Sequence, residues 1–262
     1  MTSPREVRVI GIGTGSPAHV TGQAIAALRE CDVFLVADKG EAKDELVAVR
    51  RAICEQFLDD RTYRIVTVTD PERGPDAERD KAAYTVGVDA WHAARADRYG
   101  EIIESLPAGE TVGFLVWGDP AFYDSTIRIV DAVARRLPLR TQVIAGLSAI
   151  QVLAAEHGIV LNGIGQPVHI TTGRRLLDEW SVDLGTVVVM LDGSLRCREL
   201  VEQAPDLTIY WGAYLGLPQQ VLRQGRLADV IDEIVAVRAA LRQEQGWVMD
   251  TYALTPPSPG DA

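Results

Sequence analysis

The sequence predicts an α/β fold with two domains, each a β-sheet with helices on its faces. Short apolar runs end at glycine, proline or aspartate and alternate with stretches of helical spacing. This alternation is typical of parallel strands joined by helices. The chain has 262 residues, more than most single compact cores contain. We therefore expect an N-terminal domain over residues 1–160 and a C-terminal domain over residues 161–262.

The clearest strand lies in the middle of the chain. An apolar run over residues 112–117 ends at Gly118, Asp119 and Pro120, and a helical pattern follows at once. Such a run is typical of a buried strand in a parallel sheet, and its carboxyl end is where open α/β sheets hold their ligands. Gly118 would let a ligand approach the backbone, and Asp119 would offer a fixed acceptor. The pattern favours a ligand site over a plain strand–turn–helix corner.

The remaining elements follow the same alternation. After the first strand, Gly11, Gly13 and Gly15 form a loop of bare backbone against which a bulky ligand could lie. Thr21 is the predicted N-cap of the next helix. In the N-terminal domain the predicted strands are 7–13, 32–37, 63–69, 112–117 and 142–145, and the predicted helices are 22–30, 44–57, 82–104 and 125–136. In the C-terminal domain the predicted strands are 168–172, 186–191, 208–213 and 252–254, the predicted helix is 227–245, and the domain boundary is 159–167.

Composition and charge argue against several classes of protein. The formal net charge of -11 disfavours nucleic acid or an anionic membrane as the main partner. Cys31, Cys54 and Cys197 are widely spaced and fit buried thiols of a reducing compartment better than disulfides. The histidines show no metal-ligand spacing, no apolar stretch is long enough to span a bilayer, and the N-terminus lacks a signal-peptide pattern. We therefore expect a cytoplasmic protein without a bound metal.

The glycine loop also permits a nicotinamide-dependent alternative. Gly11 and Gly13 resemble the start of a dinucleotide-binding fingerprint, and Asp38 stands where an acid that binds the ribose would be expected. Two features oppose this interpretation. Ser16 occupies the place of the third glycine, and Pro17 follows before any helix has begun, so a pyrophosphate would lack a helix N-terminus. An NAD-dependent oxidoreductase that uses this loop is the second hypothesis.

Five short motifs occur in a fixed order along nearly the whole chain. They are the glycine loop 11–17 followed by Thr21, the turn Gly118-Asp119-Pro120, the small-residue turn 145–149, the turn Thr172-Gly173-Arg174, and the strand 186–190 that ends in Met190. Together they resemble the tetrapyrrole (corrin and porphyrin) methylases, whose members transfer methyl groups from S-adenosylmethionine. Thr14 and Ala145 depart from the family pattern, which has proline at both backbone-shaping positions.

This resemblance implies that the methyl donor binds in a cleft between the two domains. The matching positions are Trp117, Gly118, Asp119, Phe122, Ser148 and Ala149 in the N-terminal domain, and Met190, Gly212, Ala213 and Tyr214 in the C-terminal domain. Methyl transfer displaces a leaving group from a carbon that is already activated. Positioning can therefore supply most of the acceleration, and no nucleophilic side chain is required. The resemblance also implies a homodimer.

The resemblance further implies a tetrapyrrole acceptor that carries many carboxylates. An acidic protein must gather cations to hold such an acceptor, and bidentate arginine suits carboxylates best. The candidate residues are the cations Lys39, Lys43, Arg50, Arg73, Arg174 and Arg175, together with the loop residues Gly13, Thr14 and Gly15. For any one of these cations, a solvated surface charge is the alternative.

Some stretches are most similar to those family members that also release an acetyl group as acetate. They are 34–46 with Arg50, 69–71 with Arg73, and 210–216. Acetate release needs water to attack a carbonyl and a proton acceptor within hydrogen-bond reach. His19 and Asp38 follow the first two strands and are the candidates for that catalytic role. Another methyltransferase of the same family and a ligand-binding protein without catalysis are the remaining alternatives.

Overall fold

A computed structural model of the chain describes residues 3–38, 44–71 and 81–257. Contacts divide the chain into two compact units, Met1–Ser148 and Ala149–Ala262. Each unit is built on its own five-stranded sheet, so the predicted α/β fold class is confirmed. The division comes before the region 159–167, because the helix that begins at Ala149 packs on strands of the second sheet.

The first sheet is parallel throughout. Its strands are β1 (Arg5–Gly11), β2 (Val33–Asp38), β3 (Arg64–Thr69), β4 (Val112–Val116) and β5 (Leu139–Ile144), in the order β3-β2-β4-β1-β5. Neighbouring strands all run in the same direction, so the loops that follow them lie at one edge. β4 is buried along its whole length, as its continuous apolar run predicts.

Helices cover both faces of this sheet. They are α1 (Gly22–Glu30), α2 (Asp44–Phe57), α3 (Lys81–Ser105) and α4 (Thr126–Ala134). α1 and α2 share a buried cluster with Phe34 and Leu115 on one face, whereas α3 and α4 pack around Phe114 on the other. The Thr21 hydroxyl accepts a hydrogen bond from the Ala24 backbone N–H at 3.1 Å, which confirms the predicted N-cap.

The second sheet is mixed. Its strands are β6 (Val168–Thr172), β7 (Thr186–Met190), β8 (Thr208–Ala213), β9 (Val221–Arg226) and β10 (Asp250–Thr255), in the order β6-β7-β10-β8-β9. β6 and β7 are parallel, whereas β10 runs antiparallel to β7 and β8, and β9 runs antiparallel to β8. The alternation of elements predicted parallel neighbours. The insertion of the last strand between β7 and β8 depends on long-range contacts that a local pattern does not contain.

The helices of the second unit are α5 (Ala149–His157), α6 (Gly173–Glu179) and α7 (Leu227–Gln245). Leu176 of α6 and Ile234 of α7 pack with Trp211 and Tyr252 of the sheet in one buried cluster. α5 contacts β8 and β10. The amphipathic helix predicted over residues 227–245 is thereby confirmed, and its apolar side faces the sheet.

The three cysteines are free thiols in the interior. Cys31, Cys54 and Cys197 are all buried, as the sequence predicts, and burial raises the pKa of each thiol to about 12. These thiols therefore stay protonated and unreactive at neutral pH. Among the described residues, no helix combines the length and the apolar character that crossing a bilayer requires.

Candidate functional site

Three loops of the first unit meet around Gly118 and Asp119. Its Oδ1 accepts a hydrogen bond from the Ala121 backbone N–H, and its Oδ2 accepts one from the Gly146 N–H, each at 2.8 Å. Gly13 and Gly118 exchange two backbone hydrogen bonds. Hydrogen bonds therefore join the loops that follow β1, β4 and β5 at the carboxyl edge of the sheet.

Glycine allows the backbones of these loops to touch. A Cβ on Gly146 would lie 2.2 Å from the Gly118 carbonyl oxygen, and a Cβ on Gly11 would lie 2.6 Å from the Gly146 nitrogen. Neither position accepts a side chain unless the loops move apart. At Gly11, the backbone of Gly146 thus takes the space that the sequence pattern assigned to a ligand.

His19 is held in place by the first glycine loop. Its Nδ1 lies 2.8 Å from the Thr14 hydroxyl oxygen, and Thr14 is only 3% exposed. The His19 backbone N–H donates to the Ser16 carbonyl within a short 3-10 turn. α1 begins only at Gly22, as the position of Pro17 predicts. Thr14, which departs from the family pattern, therefore has a defined partner.

The other predicted donor-binding residues of this unit surround the same junction. Trp117 and Phe122 flank the turn after β4 and are half-buried, and Ser148 is buried. A Cβ on Gly118 would lie 3.7 Å from the Ser148 Cα atom, so the turns after β4 and β5 are in contact. Tyr123 has a φ of 52° and is 46% exposed; no sequence pattern predicted this strained backbone.

A crevice opens between β2 and β4 at their carboxyl ends. The two strands stop pairing after Phe34 and Gly113, although each stays paired with its other neighbour. The chain leaves β2 toward β3 and leaves β4 toward β5, so the strand connections diverge at this gap. Open α/β sheets bind their ligands at such points. The cavity has a volume of about 90 Å³.

The crevice contains a cation and a carboxylate. Arg50 of α2 donates a hydrogen bond from Nε to the Leu115 carbonyl at 3.0 Å, and Asp124 accepts one from the Thr126 N–H at 2.6 Å. Burial lowers the pKa of Arg50, and the negative charge of Asp124 opposes that shift. The structure thus places Arg50, a predicted substrate-binding residue, beside Asp124, which was not among the predicted site residues.

A second arginine lines the crevice from α3. Arg95 pairs with Asp70 at 2.6 Å in a mostly buried contact, and its guanidinium lies 4.4 Å from the centre of the Trp91 ring. Trp91, Arg95 and Tyr99 recur every four residues, which places them on one side of a helix. The same helical spacing is the sequence signal that could have identified Arg95 as a site residue.

Of the remaining predicted cations, two are exposed and three lie outside the described residues. The three cations outside the described residues are Lys39, Lys43 and Arg73. The side chain of Asp38, a predicted catalytic residue, also lies outside the described part of the chain. Arg174 and Arg175 are exposed at the start of α6, and Arg175 forms an ion pair with Glu179 one turn later. Substrate binding by these cations stays a prediction.

In the second unit, predicted donor-binding residues lie at the ends of β7 and β8. Met190 ends β7 and Ala213 ends β8, and Thr251 of β10 stands in register with both Met190 and Gly212. Met190 is half-buried, whereas Ala213 is buried. These residues form a short row across three adjacent strands. Ala149, predicted for the same role, is the first residue of α5.

Tyr214 continues this row beyond β8 in a left-handed conformation, with a φ of 50°. Its side chain is 1% exposed. The hydroxyl donates to the Trp247 carbonyl, and the backbone N–H donates to the Met249 carbonyl at 2.8 Å. Because the Tyr214 ring is buried in its own unit, Tyr214 would contact the methyl donor through its backbone.

A buried polar network behind the row was not predicted. Asp250 accepts hydrogen bonds from Trp211 Nε1 and from Arg238 Nε, each at 2.9 Å. The Tyr252 hydroxyl donates to Asp192 Oδ2 at 2.6 Å. The ion pair of Arg238 and Asp250 leaves only 12% and 5% of its side chains exposed. These groups come from elements far apart in the chain, so sequence spacing offered no signal for them.

Comparison with known proteins identifies the family. The family described as Tetrapyrrole (Corrin/Porphyrin) Methylases matches residues 6–231. The chain belongs to the tetrapyrrole methylases. Within the family, it is 44% identical over 254 residues to a protein from Sinorhizobium sp named Precorrin-6A synthase (deacetylating), and the match covers 95% of each chain.

Solved structures of tetrapyrrole methylases share the fold. A cobalamin synthesis related protein (CobF) from Corynebacterium diphtheriae is 38% identical with a TM-score of 0.81, over 98% of this chain and 100% of that one. The Thermus thermophilus uroporphyrin-III C-methyl transferase complexed with S-adenosyl homocysteine is 18% identical with a TM-score of 0.57, over 95% and 97% of the two chains. Membership of the tetrapyrrole methylases confirms the predicted methyltransferase class and favours it over the NAD-dependent alternative.

Proposed function

We propose that this chain catalyses the reaction of a deacetylating precorrin-6A synthase in cobalamin biosynthesis. In that reaction S-adenosylmethionine methylates C-1 of precorrin-5, and acetate is released. The observation that carries the proposal is the 44% identity, over 95% of both chains, to a relative of that name. The similarity of residues 34–46 and 210–216 to the acetate-releasing members of the family supports the same assignment.

The methyl donor is assigned to the backbone-rich turns. In the first unit, the turns at Gly118 and Ser148 are locked together through Asp119, and they contact the methionine moiety with Trp117, Phe122 and Ala149. In the second unit, Met190, Gly212, Ala213 and the Tyr214 backbone hold the adenosine. Adenine requires an apolar slot with a few backbone hydrogen bonds, and the polarisable Met190 thioether suits a sulfonium.

The acceptor carboxylates are assigned to cations near strand ends. Arg50 stands in the crevice between β2 and β4, at the place where the fold predicts a ligand. Its guanidinium is largely removed from water, and a bidentate carboxylate contact gains strength in such surroundings. The loop of Gly13, Thr14 and Gly15 lies at the same carboxyl edge of the sheet, and its backbone is also assigned to the acceptor. Lys39, Lys43, Arg73 and Arg174 complete the proposed substrate-binding set.

Acetate release is assigned to His19, with Asp38 as the second candidate. Water forms a bond from its oxygen to the acetyl carbonyl carbon and gives its proton to the imidazole. The bond between that carbon and the macrocycle then breaks, and acetate leaves with loss of the second water proton to solvent. The electron pair left on the ring carbon forms the bond to the donor methyl group, and S-adenosylhomocysteine leaves. The hydrogen bond between Thr14 and His19 Nδ1 fixes the ring orientation that such a proton transfer needs.

The test of the function uses the purified protein with precorrin-5 and S-adenosylmethionine. We expect acetate and S-adenosylhomocysteine to form in equal amounts. Methyl transfer without acetate would make the chain another precorrin methyltransferase. Binding of S-adenosylhomocysteine without turnover would identify a ligand-binding protein, and a thermal shift with NAD alone would identify an oxidoreductase.

His19→Gln is expected to lower acetate release by roughly 100-fold, the usual contribution of a positioned acid or base. Affinity for S-adenosylhomocysteine should stay unchanged, because the donor set does not include this side chain. Thr14→Val removes only the hydroxyl that orients the ring and should give a smaller loss. Acetate production and calorimetric binding are the two measurements. Unchanged acetate release in His19→Gln would transfer the role to Asp38.

Asp119→Ala is expected to weaken binding of S-adenosylhomocysteine by roughly 10- to 100-fold, because two backbone N–H groups lose a charged acceptor. Asp119→Asn should be nearly as damaging, since its amide N–H₂ group faces one of those N–H donors. Asp131→Asn, an exposed change on α4, is the matched control and should bind normally. Calorimetry gives the affinity and circular dichroism checks folding. Unaltered binding in both Asp119 variants would leave the turn a purely structural element.

The family resemblance also supports a homodimer, and the sequence pattern supports a cytoplasmic location. Light scattering of the purified protein would then give twice the chain mass of 28.5 kDa. A monomer mass at micromolar concentration would overturn the dimer assignment.

A further inference from the structure

Leu191, directly after β7, has a conformation that neither the burial of its own side chain nor the backbone preference of leucine favours. Its φ is 54°, in the left-handed region that disfavours residues with a bulky side chain. The side chain is 68% exposed, so burial in its own unit does not offset the cost. Leu195, a few residues later, has a similar φ of 53° but is 2% exposed. Core packing accounts for Leu195 and not for Leu191.

The surrounding structure enforces this conformation. Asp192, the next residue, is 4% exposed, and its carboxylate accepts hydrogen bonds from the N–H groups of Ser194 at 3.1 Å and Arg196 at 2.7 Å. The Tyr252 hydroxyl donates to the same carboxylate at 2.6 Å. Arg238 Nη2 donates to the Asp192 carbonyl at 3.3 Å. The loop is therefore fixed on the carboxyl side of Leu191.

Strand pairing fixes the other side. Met190, immediately before Leu191, pairs with Thr172 of β6 and with Thr251 of β10. A Cβ on Gly173 would lie 2.3 Å from the Asp192 Cγ atom, so α6 also packs closely against the loop. The apolar side chain of Leu191 is thus presented outward from a rigid edge. Strained residues that the surroundings hold in place are characteristic of ligand sites.

We propose that the Leu191 side chain is an apolar contact for the adenine of the methyl donor. The inference rests on the proposed function, because Met190 and Gly212, the neighbours of Leu191 along this edge, are assigned there to the adenosine. Thr251 stands in register with both of those residues, and Leu191 follows Met190 directly at the carboxyl end of β7. An adenine ring that covers the side chain supplies the burial that the protein itself does not.

The test measures two properties that should change in opposite directions. Leu191→Gly removes the left-handed strain and little buried surface. This gain exceeds the entropy that glycine adds to the unfolded chain, so the melting temperature should rise by roughly 1–2 °C. Affinity for S-adenosylhomocysteine should fall roughly tenfold, because an apolar contact is lost. Leu191→Ala keeps the strain, so its affinity should fall without a rise in melting temperature. Leu191→Met keeps an apolar side chain and should bind within about twofold of the parent.

The controls separate this inference from the proposed function. Ile164→Ala changes a fully exposed apolar residue elsewhere in the second unit and should leave affinity unchanged. If the parent protein does not bind S-adenosylhomocysteine, the proposed function fails. If the parent binds and both Leu191→Gly and Leu191→Ala bind equally well, only the adenine contact is overturned. Calorimetry and thermal unfolding of all five proteins provide these readouts.

Discussion

Gly146→Ala is expected to destabilise the protein by about 3 kcal/mol or more, at the upper end of overpacking effects, and to abolish donor binding. The added Cβ would lie 2.2 Å from the Gly118 carbonyl oxygen and 2.8 Å from the Gly11 backbone, and backbone atoms cannot turn away as a flexible side chain can. The loops after β1, β4 and β5 would have to separate. That movement would also break the hydrogen bond from the Gly146 N–H to Asp119.

Gly22→Ala is the matched control for this prediction. Gly22 begins α1, and a Cβ there has no atom within 4 Å. Alanine should stabilise the protein by about 0.5–1 kcal/mol, since it lowers the entropy of the unfolded chain. Urea unfolding measures stability, and calorimetry with S-adenosylhomocysteine measures binding. If Gly146→Ala were as stable and as tightly bound as Gly22→Ala, the loop junction would not be the close backbone contact described.

Asp250→Ala is expected to cost about 3–5 kcal/mol of stability, because it leaves the buried guanidinium of Arg238 without its counter-charge. Trp211 Nε1 loses its acceptor in the same change. Asp250→Asn retains an acceptor for Trp211 but not the charge, and should be intermediate. Removing both charges in Arg238→Met with Asp250→Asn should recover part of the loss, since no unpaired charge remains buried. Urea unfolding of the three proteins measures these differences.

The ion pair of Arg226 and Asp229 is the matched control for the buried pair. It also involves α7, but its side chains are 52% and 66% exposed and 4.0 Å apart. Exposed pairs of this kind contribute about 0–1 kcal/mol, so Asp229→Ala should be nearly neutral. A loss below 1 kcal/mol for Asp250→Ala would show that water reaches Arg238 and that the network is not a closed interior contact.

Local sequence patterns predicted the bounds of helices and strands correctly where the buried residues recur with the period of the element. The helix Gly22–Glu30, the helix Leu227–Gln245 and the strand Thr208–Ala213 have the bounds that the sequence predicts. Thr21 caps its helix because a threonine hydroxyl before a helical pattern finds a free N–H without any help from distant residues. The strand Val221–Arg226 was missed, because its polar residues and Gly225 suit an edge strand that buries little.

The site was predictable only in part, for the same reason. Asp119 was selected because it follows a buried strand, but its hydrogen bond to Gly146 joins residues that only the pairing of β1 with β4 and β5 brings together. Asp124 became a site residue because β2 and β4 separate. Leu191 carries no sequence signal, since its left-handed backbone is imposed by Asp192 and its partners.

The sequence by itself determined the class of fold, the turns that follow the strands, and the family, because these depend on residues close together in the chain. Tertiary structure decided the mixed order of the second sheet, the crevice beside Arg50, and the network that holds Asp192 and Asp250. Each of these requires groups from distant elements to approach within a few ångströms. The period of the apolar residues indicates which face of an element is buried, but it does not indicate which other element packs against that face.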